Sequence, residues 1–201
     1  MKRPETARRQ IVDYVRREMC RYGVSKLTMD DIARGMKVSK RTLYQLFPQK
    51  TCLIRLCLSD IAGEVRDKLP DRPCQSVPAC VKTLFLTVDG YITLLHTFGS
   101  TLLSDIVPDP DYQPFLQWER AFWRGRLLDA LNGCRNQDCL LPCVDPEIVA
   151  DDLFPTLSEQ CRQGASYPAQ RMLCFVLLRG FFKQEEIGYI DEHLEMNRLP
   201  A

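Results

Sequence analysis

Residues 38–50, VSKRTLYQLFPQK, decide the fold of this 201-residue chain. Ser39 is of a type that caps helix N-termini, because its hydroxyl can accept a free backbone N–H of the first turn. Leu43, Leu46 and Phe47 recur at helical spacing, which predicts that they share one buried face. The stretch therefore predicts a short, capped helix.

The opposite face of this helix is polar and basic. Its side chains can donate hydrogen bonds to phosphates or to base edges. They are Lys40, Arg41, Thr42, Tyr44 and Gln45. Such a helix is typical of the recognition helix that a helix-turn-helix protein places in the DNA major groove.

The charge distribution agrees with that interpretation. The whole chain has a net charge of +1, but residues 1–50 hold 13 Lys and Arg against 5 Asp and Glu, a net +8. Residues 51–201 hold the remaining 14 and 21, a net −7. A basic head on an acidic body is typical of a nucleic-acid-binding head, and the alternative is a merely solvated basic surface.

Two further helices are predicted before the recognition helix. Residues 5–22 carry apolar side chains every four positions from Ile11 to Met19, the pattern of an amphipathic helix. Thr28 is expected to cap the second helix, with Asp31 placing a carboxylate in its first turn. Two helices joined by a turn of about three residues make a helix-turn-helix.

This pattern resembles the DNA-binding domain of the TetR/AcrR family of bacterial regulators, over roughly residues 7–54. The matching residues are Thr28, Ile32, Ala33, Val38, Ser39, Lys40, Arg41, Thr42, Leu43, Tyr44, Phe47, Lys50 and Leu53. The resemblance implies phosphate or base contacts at several of them. These are Thr28, Ser39, Lys40, Arg41, Thr42, Tyr44 and Lys50.

Two positions depart from the family pattern. Lys37 stands where the family usually has a turn glycine, so a residue with a Cβ is expected to adopt a positive φ. Leu46 stands where many members carry a polar histidine, which removes one expected DNA contact.

The remainder of the chain is also predicted to be helical, so the fold class is all-α. The predicted helices are 51–69, 79–105, 113–131, 145–163 and 168–183, with a short one at 186–198. Gly90 and Gly99 are expected to mark close approach or bending in the long apolar helix. We expect a helix-turn-helix DNA-binding domain at 1–50 and a helical ligand-binding and dimerisation domain at 51–201.

Two polar residues on the most apolar helix are candidate effector contacts. Asp89 and His96 lie two turns apart, and either they anchor a ligand in an apolar pocket or they are satisfied core groups. Trp118 and Phe122 could form an apolar or cation-stacking wall opposite them, although such a stripe is more often core.

The hypothesis is a cavity between helices 79–105 and 113–131, closed by the helix that starts at Asp145. A buried Asp89 needs a partner. His96, Arg124, Arg126 and a ligand cation are the alternatives, so a largely apolar ligand, neutral or cationic, is expected.

The last long helix predicts a homodimer. Residues 172–178, MLCFVLL, are apolar on every side of a helix, so burial is needed on more than one side. The resemblance implies a four-helix dimer bundle, made here by 145–163 and 168–183 of each subunit. Two-fold pairing is also the commonest oligomer symmetry.

Other chemistries have little support in the sequence. The region 132–144 holds Cys134, Cys139 and Cys143, but a structural zinc site needs four ligands and neither histidine is near in sequence. No cofactor or metal is expected, and no Gly-rich phosphate loop or nucleophile elbow is present, so the protein is not expected to be an enzyme.

The expected location is the cytoplasm. Residues 1–14 lack the apolar region of a signal peptide. Residues 83–104 could span a bilayer by length, but Asp89 near their middle favours a buried helix and no membrane association. The ten cysteines are then expected to be mostly reduced thiols.

The functional hypothesis is a DNA-binding transcriptional regulator, a repressor that a small-molecule effector releases from its operator. The alternative is an interaction protein of the same fold, whose C-terminal domain recruits a protein partner. An enzyme with a helical active site at Asp89 and His96 is a weaker third possibility.

Overall fold

The computed structural model describes residues 4–70 and 76–193, and this part of the chain is built from α-helices, which confirms the all-α fold. The helices are α1 Pro4–Tyr22, α2 Met29–Met36, α3 Lys40–Leu46, α4 Lys50–Arg66, α5 Val77–Ile106, α6 Gln113–Asn136, α7 Pro146–Arg162, α8 Tyr167–Arg179 and α9 Gln184–His193. A short 3₁₀ turn, Pro110–Tyr112, connects α5 to α6.

Helices α1 to α3 form the predicted helix-turn-helix. The Thr28 hydroxyl accepts the Asp31 N–H at 3.1 Å, and the Asp31 carboxylate accepts the Thr28 N–H at 3.2 Å, which completes a capping box at the start of α2. The turn after α2 passes through Lys37, whose φ of 53° and ψ of 40° lie in the left-handed region. The positive φ expected from the family departure is therefore present.

Helix α5 is the central element. It packs against α1, α4, α6, α7 and α8. Gly99 has φ 77° and ψ 159°, outside the helical region, so the last turns of α5 are offset from the rest. Val77–Ile106 is long and apolar enough to cross a membrane by length and composition, but its many helix neighbours are those of a core helix.

Several predicted helix boundaries are wrong, among them the end of the helix predicted at 51–69, which stops at Arg66. Helix α6 runs to Asn136, so Cys134 is a buried helical residue and the cysteine-bearing loop is correspondingly shorter. Helix α8 ends at Arg179 rather than 183. The chain leaves the helix there because Phe182 pairs with Leu140 in an isolated antiparallel bridge, which binds this segment to the loop after α6.

The C-terminal helix also begins earlier than predicted. Helix α9 starts at Gln184 and ends, within the described residues, at His193. The rest of the predicted 186–198 helix lies outside them, as do residues 71–75 of the segment that connects α4 to α5.

Helix α8 carries its apolar run as predicted, but half of it faces outward. Cys174 and Leu178 are buried against the rest of the chain. The outward side chains are Met172, Leu173, Val176 and Leu177, each between 44% and 62% exposed. A single subunit thus leaves an apolar helix face in contact with solvent.

Candidate nucleic-acid interface and ligand cavity

Helix α3 presents the predicted polar face to solvent. Ser39 caps it, its hydroxyl accepting the Thr42 N–H at 3.1 Å, while Leu43 is fully buried beneath. The exposed side chains are Lys40, Arg41, Thr42, Tyr44 and Gln45. Thr28 and Ser39, the two caps of the motif, are exposed as well, so these groups form one surface within reach of a ligand outside the protein.

Lys40 reaches back to the neighbouring helix. Its ammonium lies 2.7 Å from the Asp30 carboxylate, with both side chains at least half exposed. An exposed pair of this kind contributes little stability, so the lysine can exchange this partner for a phosphate at small cost.

Lys50 is placed differently from the prediction. It is partly buried, and its Nζ donates to the Val24 carbonyl at 2.5 Å. Burial lowers the pKa of Lys50, while Asp105 and Asp109 act in the opposite direction. In this geometry the ammonium binds the loop after α1, so a phosphate contact would require it to leave that carbonyl.

Asp105 joins the head to the body from the other side of the same loop. Its carboxylate accepts the Val24 N–H at 2.8 Å and the Ser25 N–H at 2.9 Å. Burial acts to raise the pKa of Asp105, but these hydrogen bonds and Lys50 hold it below its ordinary value overall. The end of α5 is thus clamped to the turn that leads into the helix-turn-helix.

A cavity of about 280 Å³ lies between α5, α6 and α7. This is where the sequence analysis placed it, and its size is near the lower end for small-molecule sites. Most of its wall is apolar. The apolar and aromatic lining residues are Tyr91, Leu94, Leu95, Phe98, Leu103, Val107, Phe115, Leu116, Trp123, Ala150, Phe154 and Pro155.

The polar lining groups come from α6 and α7. They are Gln113, Glu119, Arg120, Arg124, Asp151, Ser158, Glu159 and Arg162. Glu119 is the most buried of the charged groups. Its carboxylate accepts the indole N–H of Trp123 at 3.1 Å and pairs with Arg66 in the last turn of α4. Glu119 therefore links the cavity wall to the helix that follows the DNA-binding motif.

Tyr91 supplies a further polar group to the cavity. Its hydroxyl hydrogen-bonds to the Ser158 side chain, and burial raises the pKa of Tyr91 to about 12, so the phenol is neutral at physiological pH. Its ring packs against Phe154, with centroids 4.2 Å apart.

Asp89 and His96, the predicted anchors, do not line this cavity, so their proposed effector role has no geometric support. They lie on the side of α5 that faces α8. Asp89 pairs with Arg171 at 2.5 Å, a partner the sequence analysis did not consider, and His96 Nε2 is 2.7 Å from Gln170 Oε1. Both are satisfied polar groups between helices, which was the other interpretation of this pair.

Trp118 and Phe122 also lie elsewhere than predicted. Trp118 is 54% exposed, stacks on Phe122 at a centroid distance of 5.6 Å, and has the Arg66 guanidinium over its ring. Trp123, one position beyond Phe122, is the fully buried tryptophan that faces the cavity.

Three lining residues, Glu119, Trp123 and Arg162, were not predicted from the sequence to belong to the cavity. A usable signal existed only for Glu119. It follows Trp118 in an aromatic-rich segment, and a carboxylate on the buried side of a helix calls for a partner. Neither the partner, Arg66, nor the position of Arg162 at the cavity can be deduced from spacing along the chain.

The three cysteines of region 132–144 differ in their surroundings. Within residues 4–70 and 76–193, no group of three metal-ligating side chains is close enough to hold an ion. Cys134 and Cys139 are buried, the Cys139 thiol donating to the Cys134 carbonyl at 3.1 Å, whereas Cys143 is exposed.

A basic, exposed recognition helix on a helical body with a cavity between its helices defines a class of protein, the DNA-binding regulators with a helix-turn-helix head. Residues 11–57 match the family described as bacterial regulatory proteins, tetR family. Residues 11–57 therefore form a DNA-binding domain of the tetR-family type, and the match supports a TetR family regulator.

Solved structures share the fold over nearly the whole chain. A TetR transcription regulator from Haloarcula marismortui ATCC 43049 has a TM-score of 0.72 at 14% identity, over 89% of this chain and 100% of that one. CprB from Streptomyces coelicolor, solved with its biological operator sequence, has a TM-score of 0.66 at 21% identity, over 97% and 99%. A gamma-butyrolactone receptor described as ArpA-like has a TM-score of 0.62 at 22% identity, over 94% of both chains.

At these identities the likeness concerns the fold. No curated protein matches the chain. The comparisons support DNA-binding regulation and do not favour the alternative of a protein-recruiting interaction module.

Proposed function

We propose that the protein is a homodimeric repressor that binds operator DNA through α3 and is released when a small molecule fills the cavity between α5, α6 and α7. The observation that carries the DNA-binding part is the exposed basic face of α3 on a correctly capped helix-turn-helix. CprB, a protein of the same fold, was solved on its operator.

The contact residues proposed for DNA follow from exposure. Arg41 and Gln45 have long side chains suited to base edges, whereas Lys40 and Tyr44 are suited to phosphates. Thr28, Ser39 and Thr42 can add hydroxyl contacts at the helix starts. Lys50 is proposed as an indirect contributor, since it holds the Val24 carbonyl.

Dimerisation is proposed through α7 and α8. Leu173, Val176 and Leu177 are exposed on α8, and Ile148 is 62% exposed on α7. Burying such side chains against a second copy removes apolar surface from water. A two-fold axis through this face would make a four-helix bundle and would set the spacing of the two α3 helices.

Release requires a path from the cavity to the head, and two contacts supply one. Phe98 and Leu103 line the cavity on either side of the Gly99 break, and Asp105, two residues beyond Leu103, clamps the loop after α1. The second contact is the pair between Glu119 and Arg66. A ligand acts as an effector only if it binds the DNA-incompetent arrangement better than the DNA-bound one.

The DNA-binding proposal is tested by selecting operator fragments from random DNA and measuring affinity against salt. Arg41→Ala is expected to weaken binding and relax base preference, costing about 1–3 kcal/mol at the affected position. Lys40→Ala is expected to weaken binding to all DNA sequences alike and to reduce the slope of log affinity against log salt concentration by about one unit.

Lys82→Ala, which removes an exposed lysine from α5, is the matched control and should leave affinity and slope unchanged. If Lys40→Ala and Arg41→Ala both behaved like Lys82→Ala, α3 would not be the recognition helix. If selection returned no preferred sequence, the operator proposal itself would be wrong.

A further inference from the structure

Arg162 carries an unmet hydrogen-bond donor beside the cavity. Its side chain lines the cavity from the last turn of α7, and its Nη1 pairs with Glu159 at 2.6 Å. Its Nε is buried and has no hydrogen-bond partner among the described residues. A buried donor left unpaired costs about 1–3 kcal/mol. Because this Nε has almost no accessible surface of its own, the guanidinium must turn toward the cavity to bring it to an acceptor there.

The acidic lining groups are already paired with arginine. Glu119 pairs with Arg66, Asp151 with Arg124 at 2.6 Å, and Glu159 with Arg162. The acids therefore have their charge compensated before any ligand enters.

Arg120 adds a second arginine to the lining. It is exposed at the cavity, and it forms no ion pair with an acidic side chain in the part of the chain that the structure describes. Arg120 on α6 and Arg162 on α7 thus bring hydrogen-bond donors to one cavity from two helices. The acidic groups of the lining are already paired, so they leave no additional acceptors for these donors.

The opposite wall suits a flat apolar body. The Tyr91 ring packs on Phe154, and the Trp123 ring meets Phe154 edge-on at 6.2 Å. Phe98 and Phe115 extend this aromatic wall, their rings edge-on at 6.3 Å. Aromatic walls of this kind contribute apolar contact area and orient planar groups.

We propose that the effector is an organic acid, a compact apolar or aromatic body with one carboxylate. The carboxylate would accept hydrogen bonds from Arg162 and Arg120, and the body would lie against Tyr91, Trp123 and Phe154. That this ligand regulates DNA binding rests on the proposed function. The inference replaces the earlier expectation of a cationic ligand, which was based on Asp89. Arginine suits the role because its fork of N–H groups matches a carboxylate.

The test uses matched sets of probes that differ only in the head group. Benzoate, 3-phenylpropionate and octanoate are each compared with the corresponding amide and amine by calorimetry on the full chain, with tryptophan fluorescence as a second readout. For at least one set the acid is expected to bind about tenfold or more tightly than its amide, the factor that 1.4 kcal/mol of charge-assisted hydrogen bonding gives. A preference for amine or amide in every set, or binding of no acid in any set, overturns the proposal.

Variants separate the head-group contact from the apolar wall. Arg162→Met is expected to abolish the preference for acid over amide while amide binding remains. Arg162→Lys keeps the charge and should retain part of the preference. Arg179→Met removes an arginine of similar exposure that pairs with Asp191 outside the cavity, and should change nothing. An unchanged preference in both Arg162→Met and Arg120→Met would refute the assignment.

Operator affinity of the ligand-free protein is measured in parallel. If the protein shows no preference for acids over amides but still binds its operator, only the proposed ligand class is contradicted. Acid binding that leaves the operator complex unaffected contradicts the release mechanism instead.

Discussion

Removing Arg66 should destabilise the protein in a pH-dependent way, because it leaves Glu119 buried without its charge partner. The Glu119 side chain is 8% exposed and that of Arg66 is 19% exposed. Breaking a buried ion pair from one side costs about 3–5 kcal/mol. Since Arg66 reaches some water and the Trp123 N–H remains, we expect Arg66→Met to cost about 2–3 kcal/mol at pH 8.

The pH dependence follows from the pKa of Glu119. Burial raises that pKa above its ordinary value, against the lowering influence of Arg66 and of Trp123. Without Arg66 the pKa rises further. A carboxyl whose pKa is raised in the folded state binds protons more tightly there than in the unfolded chain, so folding stability falls as pH increases through that range. The cost of Arg66→Met should therefore be smaller at pH 5 than at pH 8.

Thermal unfolding at fixed protein concentration measures this. For a chain of this size, 1 kcal/mol corresponds to about 2–4 °C in Tm, so Arg66→Met should lower Tm by about 4–12 °C at pH 8. The double variant with Glu119→Gln should recover most of that loss, because no unpaired charge remains buried.

The matched control is Arg16→Met, which breaks the pair between Arg16 and Glu64 at 2.5 Å. Glu64 is 57% exposed, so its charge stays in water and the cost should be below about 1 kcal/mol. Two results would refute the account of Glu119. One is an equal loss of Tm for Arg66→Met at pH 5 and pH 8, and the other is a double variant that is no more stable than Arg66→Met alone.

Three further changes test other parts of the fold. Gly99→Ala forces a Cβ onto a φ of 77° and should cost about 1–3 kcal/mol, measured as a fall in Tm. Val176→Glu places a charge on the exposed face of α8 and should shift sedimentation from dimer to monomer at micromolar concentration; an unchanged dimer would place the interface elsewhere. Lys50→Met loses the bond to the Val24 carbonyl and should lower Tm by a few degrees without reducing the salt slope of DNA binding; a slope reduced by one unit would instead support a direct phosphate contact.

The helix-turn-helix could be predicted from the sequence because its determinants are local. Thr28 and Ser39 cap helices through atoms three residues away, and the buried face containing Leu43 follows from helical periodicity. Even the positive φ at Lys37 was foreseen, since a turn at that place requires it whatever residue is present.

The cavity was predicted at the level of helices but not of residues. Periodicity shows which residues share one face of a helix, but it does not show which neighbour that face meets. Asp89 turned toward α8 because Arg171, 82 positions away, offers a guanidinium there. The pair of Glu119 and Arg66 spans 53 positions, so its existence depends on tertiary packing.

The boundaries of α6 and α8 were missed for a related reason. Residues 132–136 look irregular in sequence, yet they stay helical while Cys134 is buried. Residues 180–183 look helical in sequence, yet they leave the helix because Phe182 forms a bridge with Leu140. In both cases a contact distant in sequence overrides local preference.

The clamp at Asp105 ties the short segment after Gly99 to the head. The two backbone N–H groups that Asp105 accepts, from Val24 and Ser25, join the end of α5 to the loop after α1. Helix α1 also packs directly on α5, so the head does not depend on chain continuity through α4 alone. In a dimer, a displacement of the segment after Gly99 would therefore carry each head with it and change the distance between the two α3 helices.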